Sequence, residues 1–289
     1  MKILLLGKNG QVGWELRRVL PLLGQVVALG SDDLDLQKGP DIRQSIRSMK
    51  PDVIVNAAAY TQVDRAEEEP EKARVVNAAA PGVMAEEAER LGAYFIHYST
   101  DYVFDGKKGI PYNEEDSPNP INVYGQTKLE GEQAIARSGA FYLILRTSWI
   151  YGLRGKNFLL TMLRLAAEKD ELRIVEDQHG CPTWCRMLAE ATGHILARGR
   201  TGWPWGIYHA AAKGQTSWFG FAQAILAHQD LGGRPNPPVI PISSREFAPQ
   251  ALRPENSVLS SEKLTGKLGI SMPNWEDGLN LALQELQCR

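Results

Sequence analysis

Cysteine is scarce in this 289-residue chain, and long apolar runs are absent from it. The three cysteines, Cys181, Cys185 and Cys288, are an odd number and too few for a disulfide framework, which favours a reducing compartment. The apolar runs are shorter than a membrane-spanning helix needs, and MKILLLGKNG lacks the cleavage site of a signal peptide. We therefore expect a cytoplasmic protein that makes no membrane contact.

An excess of positive charge is also absent. The chain has 32 Lys and Arg against 34 Asp and Glu, a net charge of -2, whereas a nucleic-acid backbone requires a basic surface. We expect no nucleic-acid partner, although a local pocket for one anionic ligand is compatible with this charge. Cys181 and Cys185 match no common zinc spacing, so no metal site is expected. Apolar residues at 43% and charged residues at 23% are typical of a folded globular protein.

Short apolar runs alternate with amphipathic stretches through the first half of the chain. The runs are KILLLG (2–7), QVVAL (25–29), DVIVNAA (52–58), AYFIHYS (93–99) and FYLILRTS (141–148). Continuous apolar runs are typical of strands buried on both faces, and the stretches between them have helical spacing. The alternation predicts an α/β fold built on a Rossmann-type doubly wound parallel sheet.

The second half is less regular. Further strands are predicted within 172–180 and 206–212, while the Pro-rich segment 234–257 is expected to form extended loops. We expect residues 1–150 to form the dinucleotide-binding domain, with the strand near 206–212 returning to it. Residues 151–289 are expected to form most of a smaller, interleaved C-terminal substrate-binding domain.

The segment GKNGQVG follows the first predicted strand and opens a helix. Its glycines Gly7, Gly10 and Gly13 are three residues apart. Glycines allow a tight turn and close approach to a pyrophosphate, and a helix N-terminus presents free N–H groups to it. The spacing differs from G-x-G-x-x-G, and an ordinary strand-to-helix turn is the alternative. The position after the first strand favours dinucleotide binding.

The end of the second strand leaves the choice between NADH and NADPH open. An acid there would bind the adenosine ribose of NAD, but the chain has Gly30, followed by Asp32, Asp33 and Asp35. No Lys or Arg is expected next to the strand end to bind a 2′-phosphate.

Tyr124 and Lys128 are four residues apart in a predicted helix, so both can face one cleft. A nearby ammonium favours the phenolate and is expected to lower the pKa of Tyr124, which would then exchange protons near neutral pH. Ser99 and Thr100 end a predicted strand, at the ligand-facing edge of a parallel sheet, and supply a hydroxyl for the same substrate oxygen.

Together these features resemble the extended short-chain dehydrogenase/reductase superfamily. A more specific resemblance, from about residue 1 to residue 285, is to the dTDP-4-dehydrorhamnose reductase family. The motifs that carry it are, in order, GKNGQVGWEL, VNAAAYTQVDRAE, HYSTDYVFDG, NVYGQTKLEGE, LRTSWIYG, NFLLTMLRLA, DQHGCPT and RPENSVL.

The resemblance implies an NADPH- or NADH-dependent reduction of the C4 ketone of a dTDP-linked 4-keto-6-deoxy sugar. It implies that Tyr124 gives a proton to the forming alkoxide and that Lys128 lowers the pKa of Tyr124 and bonds the nicotinamide ribose. Thr100 then hydrogen-bonds the C4 oxygen, where negative charge develops.

Further positions are carried over from the resemblance. The expected cofactor-binding residues, besides Tyr124 and Lys128, are Gly7, Gly10, Gln11, Val12, Asp35, Leu36, Ala57, Ala58, Ala59 and Thr61. The expected substrate-binding residues are Thr100, Asp101, Tyr102, Trp149, Asn157, Gln178 and Arg253. A core position is the alternative for Trp149, and a surface ion pair is the alternative for Arg253.

Other functions are compatible with these motifs. The chain could be another nucleotide-4-keto-sugar reductase or an epimerase, or a non-catalytic regulatory subunit of the same fold. The presence of Thr100, Tyr124 and Lys128 favours catalysis. A homodimer is compatible with the resemblance, and Glu15 and Glu190 are candidate positions for Mg²⁺ between subunits, but exposed helical glutamates are usually only solvated, so no metal is assigned.

Overall fold

The computed structural model describes residues 1–227 and 235–288. The first residue of the 234–257 segment lies outside these ranges. The strands are β1 (Lys2–Leu6), β2 (Gln25–Leu29), β3 (Val53–Asn56), β4 (Tyr94–Thr100), β5 (Phe141–Thr147), β6 (Ile150–Tyr151), β7 (Leu172–Val175), β8 (His179–Gly180), β9 (Thr183–Trp184), β10 (Gly206–His209), β11 (Thr216–Ser217) and β12 (Val239–Ile242).

Helices connect most of these strands. They are α1 (Gln11–Val19), α2 (Gly39–Met49), α3 (Val63–Glu68), α4 (Pro70–Arg74), α5 (Ala80–Leu91), α6 (Val123–Arg137), α7 (Phe158–Glu168), α8 (Cys185–Ala197), α9 (Trp218–Ala227), α10 (Ser244–Phe247), α11 (Glu262–Leu268) and α12 (Trp275–Gln287). Short 3₁₀ turns occur at Leu20–Leu22, Asp101–Val103 and Arg200–Gly202. In the described ranges no helix is long and apolar enough to cross a membrane.

A six-stranded parallel sheet with the order β10-β5-β4-β3-β1-β2 forms the centre of the molecule. The chain passes outward from β1 to β2 and then crosses back to β3 on the other side of β1. A ligand crevice is expected where the strand order reverses, outside the carboxyl ends of β1 and β3. The predicted doubly wound α/β fold is confirmed, and β10 joins the sheet beside β5 as the sequence predicted.

β1 is buried on both faces, and its successive side chains point to opposite sides of the sheet. Ile3 and Leu5 of β1 belong to a core that includes side chains of α1, α8 and α12. Leu4 and Leu6 belong to a second core, formed with side chains of α2, α5 and α6. The continuous apolar pattern of β1 thus follows from its having helices on each side.

Some predicted boundaries differ from the structure. The strand predicted within 172–180 is two strands, β7 and β8. The Pro-rich segment 234–257 was expected to be loop, but it contains β12 and α10, and that expectation is wrong for those residues. Among the described residues, β12 pairs with β7, in parallel, as a two-stranded sheet. Pro241 is tolerated there because a strand with one free edge can turn its missing donor outward.

A π-helical turn over Val75–Ala79 lies between α4 and α5. Asn77 in this turn is 1% exposed. Its Oδ1 accepts from the Tyr60 N–H at 2.8 Å, while its Nδ2 donates to the Tyr60 carbonyl at 3.0 Å and to Thr127 Oγ1 at 3.1 Å. The turn therefore ties the segment after β3 to α6, which carries Tyr124 and Lys128.

Candidate active site

The turn after β1 is packed so tightly that only glycine fits two of its positions. Gly7 has φ +83°, and a Cβ there would lie 2.6 Å from the Ala58 backbone nitrogen. A Cβ at Gly13 would lie 2.0 Å from the Gly7 carbonyl oxygen. Gly10 precedes α1, whose first residues are Gln11 and Val12. The N–H groups that begin α1 are thus presented at the sheet edge without side chains in front, as a pyrophosphate requires.

A largely apolar cavity of about 210 Å³ lies beside this turn. The predicted cofactor residues Gly7, Asp35, Leu36, Ala58 and Ala59 line it. Its size and apolar walls suit a flat heterocycle such as adenine, so the residues present fit the dinucleotide.

Several predicted cofactor residues, Ala57 and Thr61 among them, lie outside the lining of this cavity, and several unpredicted residues lie inside it. Ala57 follows β3 directly and is half-buried, and Thr61 is exposed. Val76 of the π-helical turn also lines the cavity. No local sequence pattern marks Val76, because the π-helical turn brings it there.

A lysine lies at the end of β2, contrary to what the sequence order suggested. Lys8 Nζ forms an ion pair with Asp33 Oδ2 at 2.6 Å. The same Asp33 oxygen accepts the Gly30 N–H at 2.7 Å, and a Cβ at Gly30 would lie 3.3 Å from Lys8 Cε. Lys8 reaches this place because β1 and β2 are neighbours in the sheet. The expectation that no Lys or Arg is next to the end of β2 is therefore wrong, because the Lys8 side chain lies there in the folded protein.

The predicted catalytic side chains meet at the carboxyl end of β4. Asn122 caps α6 by accepting the Gly125 N–H at 2.8 Å, which fixes the start of the helix just before Tyr124. Thr100 is the last residue of β4, and its hydroxyl hydrogen-bonds the Tyr124 phenol. Lys128 follows one turn later on α6.

The expected pKa shift of Tyr124 is wrong for this arrangement of side chains. Burial raises the pKa of Tyr124 to about 12, the Thr100 hydrogen bond partly opposes the rise, and Asp101 adds to it. Lys128 does not offset this rise, since its Nζ donates to the Tyr98 carbonyl at 2.7 Å and lies 3.0 Å from His97 Nε2. The phenol therefore keeps its proton at neutral pH.

Asp101 lies behind Thr100 rather than in the open cleft. It is 2% exposed, Oδ1 accepts from Thr100 Oγ1 at 3.0 Å, and Oδ2 accepts from Ser148 Oγ at 2.9 Å. Burial raises the pKa of Asp101 to about 6, opposed by hydrogen bonds from Ser257, Ser148 and Thr100. Asp101 is thus placed to orient the Thr100 hydroxyl.

Arg253 and Tyr102 lie together on the substrate side of Tyr124. The rings of Tyr102 and Tyr124 meet edge to face, with centroids 5.8 Å apart. Arg253 Nη2 is 2.6 Å from Asp64 Oδ2, and the guanidinium also hydrogen-bonds Tyr102. The ion-pair alternative for Arg253 is therefore present in the structure, with a partner 189 residues away in sequence.

Trp149 and Gln178 are joined through Trp218, which the sequence did not single out. The Trp149 and Trp218 rings are stacked, with their centroids 3.5 Å apart and an angle of 4° between the ring planes. Trp149 has φ +44°, a conformation that an aromatic residue rarely adopts outside functional sites. Gln178 is 4% exposed, accepts from Trp218 Nε1 at 3.2 Å and donates to Ser244 Oγ at 2.7 Å.

Asn157 contacts the cofactor turn instead of this aromatic wall. Its Nδ2 donates to Gln11 Oε1 at 2.9 Å and to the Gly152 carbonyl at 2.8 Å. Its Oδ1 caps α7 by accepting the Leu160 N–H at 3.1 Å. The amide of Asn157 thus holds the Gln11 side chain in place.

Comparisons with known proteins agree with this geometry. The family model described as "RmlD substrate binding domain" matches residues 1–288. A dTDP-4-dehydrorhamnose reductase of Burkholderia thailandensis is 48% identical over 99% of this chain and 99% of its own length. One from Escherichia coli K12 is 42% identical over 99% of this chain and 98% of its own length.

Solved structures show the same relationship. The crystal structure of dTDP-4-dehydrorhamnose reductase from Bacillus anthracis, in complex with NADP, superimposes with a TM-score of 0.92. The two sequences are 35% identical, and the superposition covers 98% of this chain and 99% of the Bacillus anthracis chain. Family model, relatives and structure all span nearly the whole chain, so the chain belongs to the dTDP-4-dehydrorhamnose reductase family.

Proposed function

We propose that the chain is an NADPH- or NADH-dependent oxidoreductase that reduces the C4 ketone of dTDP-4-dehydrorhamnose to give dTDP-L-rhamnose. The meeting of Tyr124 and Thr100 at the carboxyl end of β4, beside the glycine turn, carries this proposal. Relatives named dTDP-4-dehydrorhamnose reductase at 42–48% identity support the substrate. The complex of the Bacillus anthracis protein with NADP supports the cofactor.

The chain's own residues supply binding, orientation and a proton. The turn of Gly7, Gly10, Gln11 and Val12 holds the pyrophosphate, and the cavity lined by Asp35, Leu36, Ala58 and Ala59 holds the adenine. Ala57 and Thr61 border the cofactor along the segment after β3. When bound, a reduced nicotinamide supplies the hydride.

Tyr124 and Thr100 act on the ketone oxygen. As negative charge develops there, Thr100 turns its single O–H from Asp101 towards this oxygen and Tyr124 transfers its proton, so the product is a neutral alcohol. Solvent then returns a proton to the Tyr124 phenolate. Asp101 positions Thr100, and Lys128 lies one turn from Tyr124, where it can reach the nicotinamide ribose.

The sugar nucleotide occupies the side of the cleft opposite the cofactor. Trp149 packs on the sugar with Trp218 behind it, Tyr102 and Gln178 line the wall, and Arg253 pairs with the diphosphate. Guanidinium suits this last role because its planar donors match phosphate oxygens. Asn157 acts from beneath the cofactor turn by holding Gln11.

The proposed activity is tested with dTDP-4-dehydrorhamnose and NADPH or NADH, by following absorbance of the reduced nicotinamide. We expect one cofactor oxidised for each dTDP-L-rhamnose formed. An epimerase would convert the sugar without net consumption of cofactor, and a regulatory subunit would leave both unchanged. Either result would contradict the proposal.

Three further features of the protein are proposed. We propose a cytoplasmic location because the three cysteines form no disulfide. We propose that residues 1–150, joined by β10, form the dinucleotide-binding domain and that 151–289 form most of the substrate-binding domain. A homodimer is proposed from the family resemblance, and its test is the mass in solution.

A further inference from the structure

A chain of hydrogen bonds runs through the interior to the amine of Lys128. The Ala58 N–H donates to Asn56 Oδ1 at 3.1 Å, and Asn56 Nδ2 lies 3.1 Å from His97 Nδ1. His97 Nε2 lies 3.0 Å from Lys128 Nζ, which donates to the Tyr98 carbonyl at 2.7 Å. Asn56 and His97 are 0% exposed and Lys128 is 1% exposed, so bulk water does not complete these contacts.

The direction of every bond in this chain follows from its first member. A backbone N–H can only donate, so Asn56 must turn its oxygen to Ala58 and its Nδ2 to His97. His97 Nδ1 therefore accepts, and a neutral imidazole then carries its hydrogen on Nε2. That N–H points at Lys128 Nζ, which can accept only as an amine, because an ammonium has no lone pair.

We propose that Asn56 and His97 are positioning residues that hold Lys128 as an uncharged amine in the protein without cofactor. In this arrangement every contact from Ala58 to Tyr98 joins a donor to an acceptor. Reversing the Asn56 amide would place two donors against each other at Ala58, and an ammonium would meet the His97 N–H. Each alternative leaves a buried polar group unpaired, at a cost that burial makes large.

The charged groups around Lys128 are compatible with an uncharged amine. Glu132 faces it from the next turn of α6, but both of its oxygens are bonded to Arg146 of β5. Asp101, after β4, is directed to Thr100 and Ser148. In the described part of the chain, no carboxylate is bonded to Lys128 Nζ. Burial lowers the pKa of Lys128 to about 8 against the effect of Glu132, a value that alone would leave an ammonium at pH 7, and the His97 N–H aimed at the amine has to lower this pKa further.

The consequence for catalysis rests on the proposed function. A reductase needs its proton donor protonated before hydride arrives, and a neighbouring ammonium would favour loss of that proton. An uncharged Lys128 keeps the Tyr124 phenol protonated in the resting protein. His97 and Asn56 thus act on Tyr124 through Lys128, without touching the reacting atoms.

The direct test is the tautomer of His97, read by ¹⁵N NMR of histidine-labelled protein without cofactor at pH 7. We expect hydrogen on Nε2 and none on Nδ1, with the signals assigned by their loss in His97→Gln. A hydrogen on Nδ1, or on both nitrogens, would overturn the proposal. The ¹⁵Nζ shift of Lys128 in the same unmodified protein should be that of an amine, and an ammonium shift at pH 7 would also overturn it.

Asn56→Asp should reverse the direction of the hydrogen bonds between residue 56 and Lys128. A carboxylate accepts from both Ala58 and His97, so the His97 hydrogen moves to Nδ1, Nε2 becomes an acceptor, and Lys128 becomes an ammonium. The pKa of Tyr124, followed by the absorbance of its phenolate, should then fall by about one unit or more. Gln126→Glu adds a carboxylate on the exposed face of α6 and should leave the tautomer and the Tyr124 pKa unchanged.

These spectroscopic results separate this proposal from the proposed function. If the His97 tautomer is as expected but the protein does not reduce dTDP-4-dehydrorhamnose, only the function is wrong. If Asn56→Asp retains the Nε2–H tautomer, the positioning role is wrong whatever the activity. Should Asn56→Asp not fold, the unmodified protein's His97 and Lys128 signals still decide.

Discussion

The Arg146 guanidinium and the Glu132 carboxylate form a two-point ion pair in the interior, with Nε–Oε1 at 2.9 Å and Nη2–Oε2 at 2.6 Å. Each side chain is 2% exposed. Glu132 lies on α6 and Arg146 on β5, the strand next to β4. The pair therefore fixes the helix that carries Tyr124 against the sheet that carries Thr100.

Removing one partner of this pair should destabilise the folded protein. Glu132→Gln leaves the Arg146 guanidinium buried without a counter-charge, and we expect the free energy of unfolding to fall by about 3–5 kcal/mol. Urea denaturation measures it. Glu168→Gln, which breaks the exposed i,i+4 pair with Arg164, is the control and should change stability by less than about 0.5 kcal/mol. Equal losses in the two variants would contradict the structural role of the buried pair.

Tyr124→Phe tests the proton donor. The variant keeps the ring and its edge-to-face contact with Tyr102 but has no proton to give. We expect turnover to fall by about 10²–10⁴-fold while the affinity for NADPH stays within about threefold of wild type. Steady-state kinetics and cofactor fluorescence measure the two quantities. Turnover unchanged in this variant would remove Tyr124 from its assigned role.

The sequence predicted the sheet well, because the burial of its strands leaves local patterns. The apolar runs of β1, β3, β4 and β5 are buried on both faces, and burial on both faces leaves a continuous apolar signature. The Tyr124–Lys128 spacing gives one helical face directly.

Features that depend on distant contacts could not be predicted. The direction of the Tyr124 pKa shift depends on whether Lys128 Nζ turns to the phenol or to His97, 31 residues earlier. Lys8 reaches the end of β2 only through the pairing of β1 with β2. The Arg253–Asp64 pair joins residues 189 apart, and no spacing rule connects them.

Asp101→Asn should stabilise the protein above neutral pH. The folded pKa of about 6 lies above the ordinary value of 3.8, so folding binds protons between these values and stability falls as pH rises through them. Asparagine carries no charge, and a shift of about two units sets an upper limit of about 3 kcal/mol on the gain. We expect a higher melting temperature than wild type at pH 8.

The pH dependence of that gain is the decisive observation. Below the ordinary aspartate pKa, wild-type Asp101 is itself protonated in both states, so the difference between the proteins should be much smaller at pH 4 than at pH 8 and should approach zero below it. A gain that is the same at pH 4 and pH 8 would show that the effect comes from packing instead of the buried charge. Thermal unfolding in matched buffers across this range measures it.

Lys8 and Asp33 should set the choice between the two cofactors. The 2′-phosphate of NADPH has to compete with Asp33 for the Lys8 ammonium, whereas NADH does not. We expect Lys8→Met to lower kcat/KM for NADPH about tenfold relative to NADH, and Asp33→Asn to raise the same ratio, as expected for one charge-assisted contact. Lys267→Met, on the exposed face of α11, is the matched control and should leave the ratio unchanged. A ratio unaffected by both changes would place the phosphate elsewhere.

Asp64 should compete with the sugar nucleotide for the Arg253 guanidinium. Its Oδ2 lies 2.6 Å from Arg253 Nη2, so a diphosphate that pairs with Arg253 must weaken or replace this contact. Arg253→Lys loses the two-point geometry, and we expect it to raise KM for the sugar nucleotide about tenfold with little change in kcat. Asp64→Asn frees the guanidinium and should lower KM, by about two- to fivefold since the carboxylate is half exposed. Opposite changes in KM from two partners of one ion pair are expected only if Arg253 exchanges Asp64 for the substrate. A rise in KM in both variants would instead mean that the pair supports the cleft as a structural unit and that Arg253 does not contact the diphosphate.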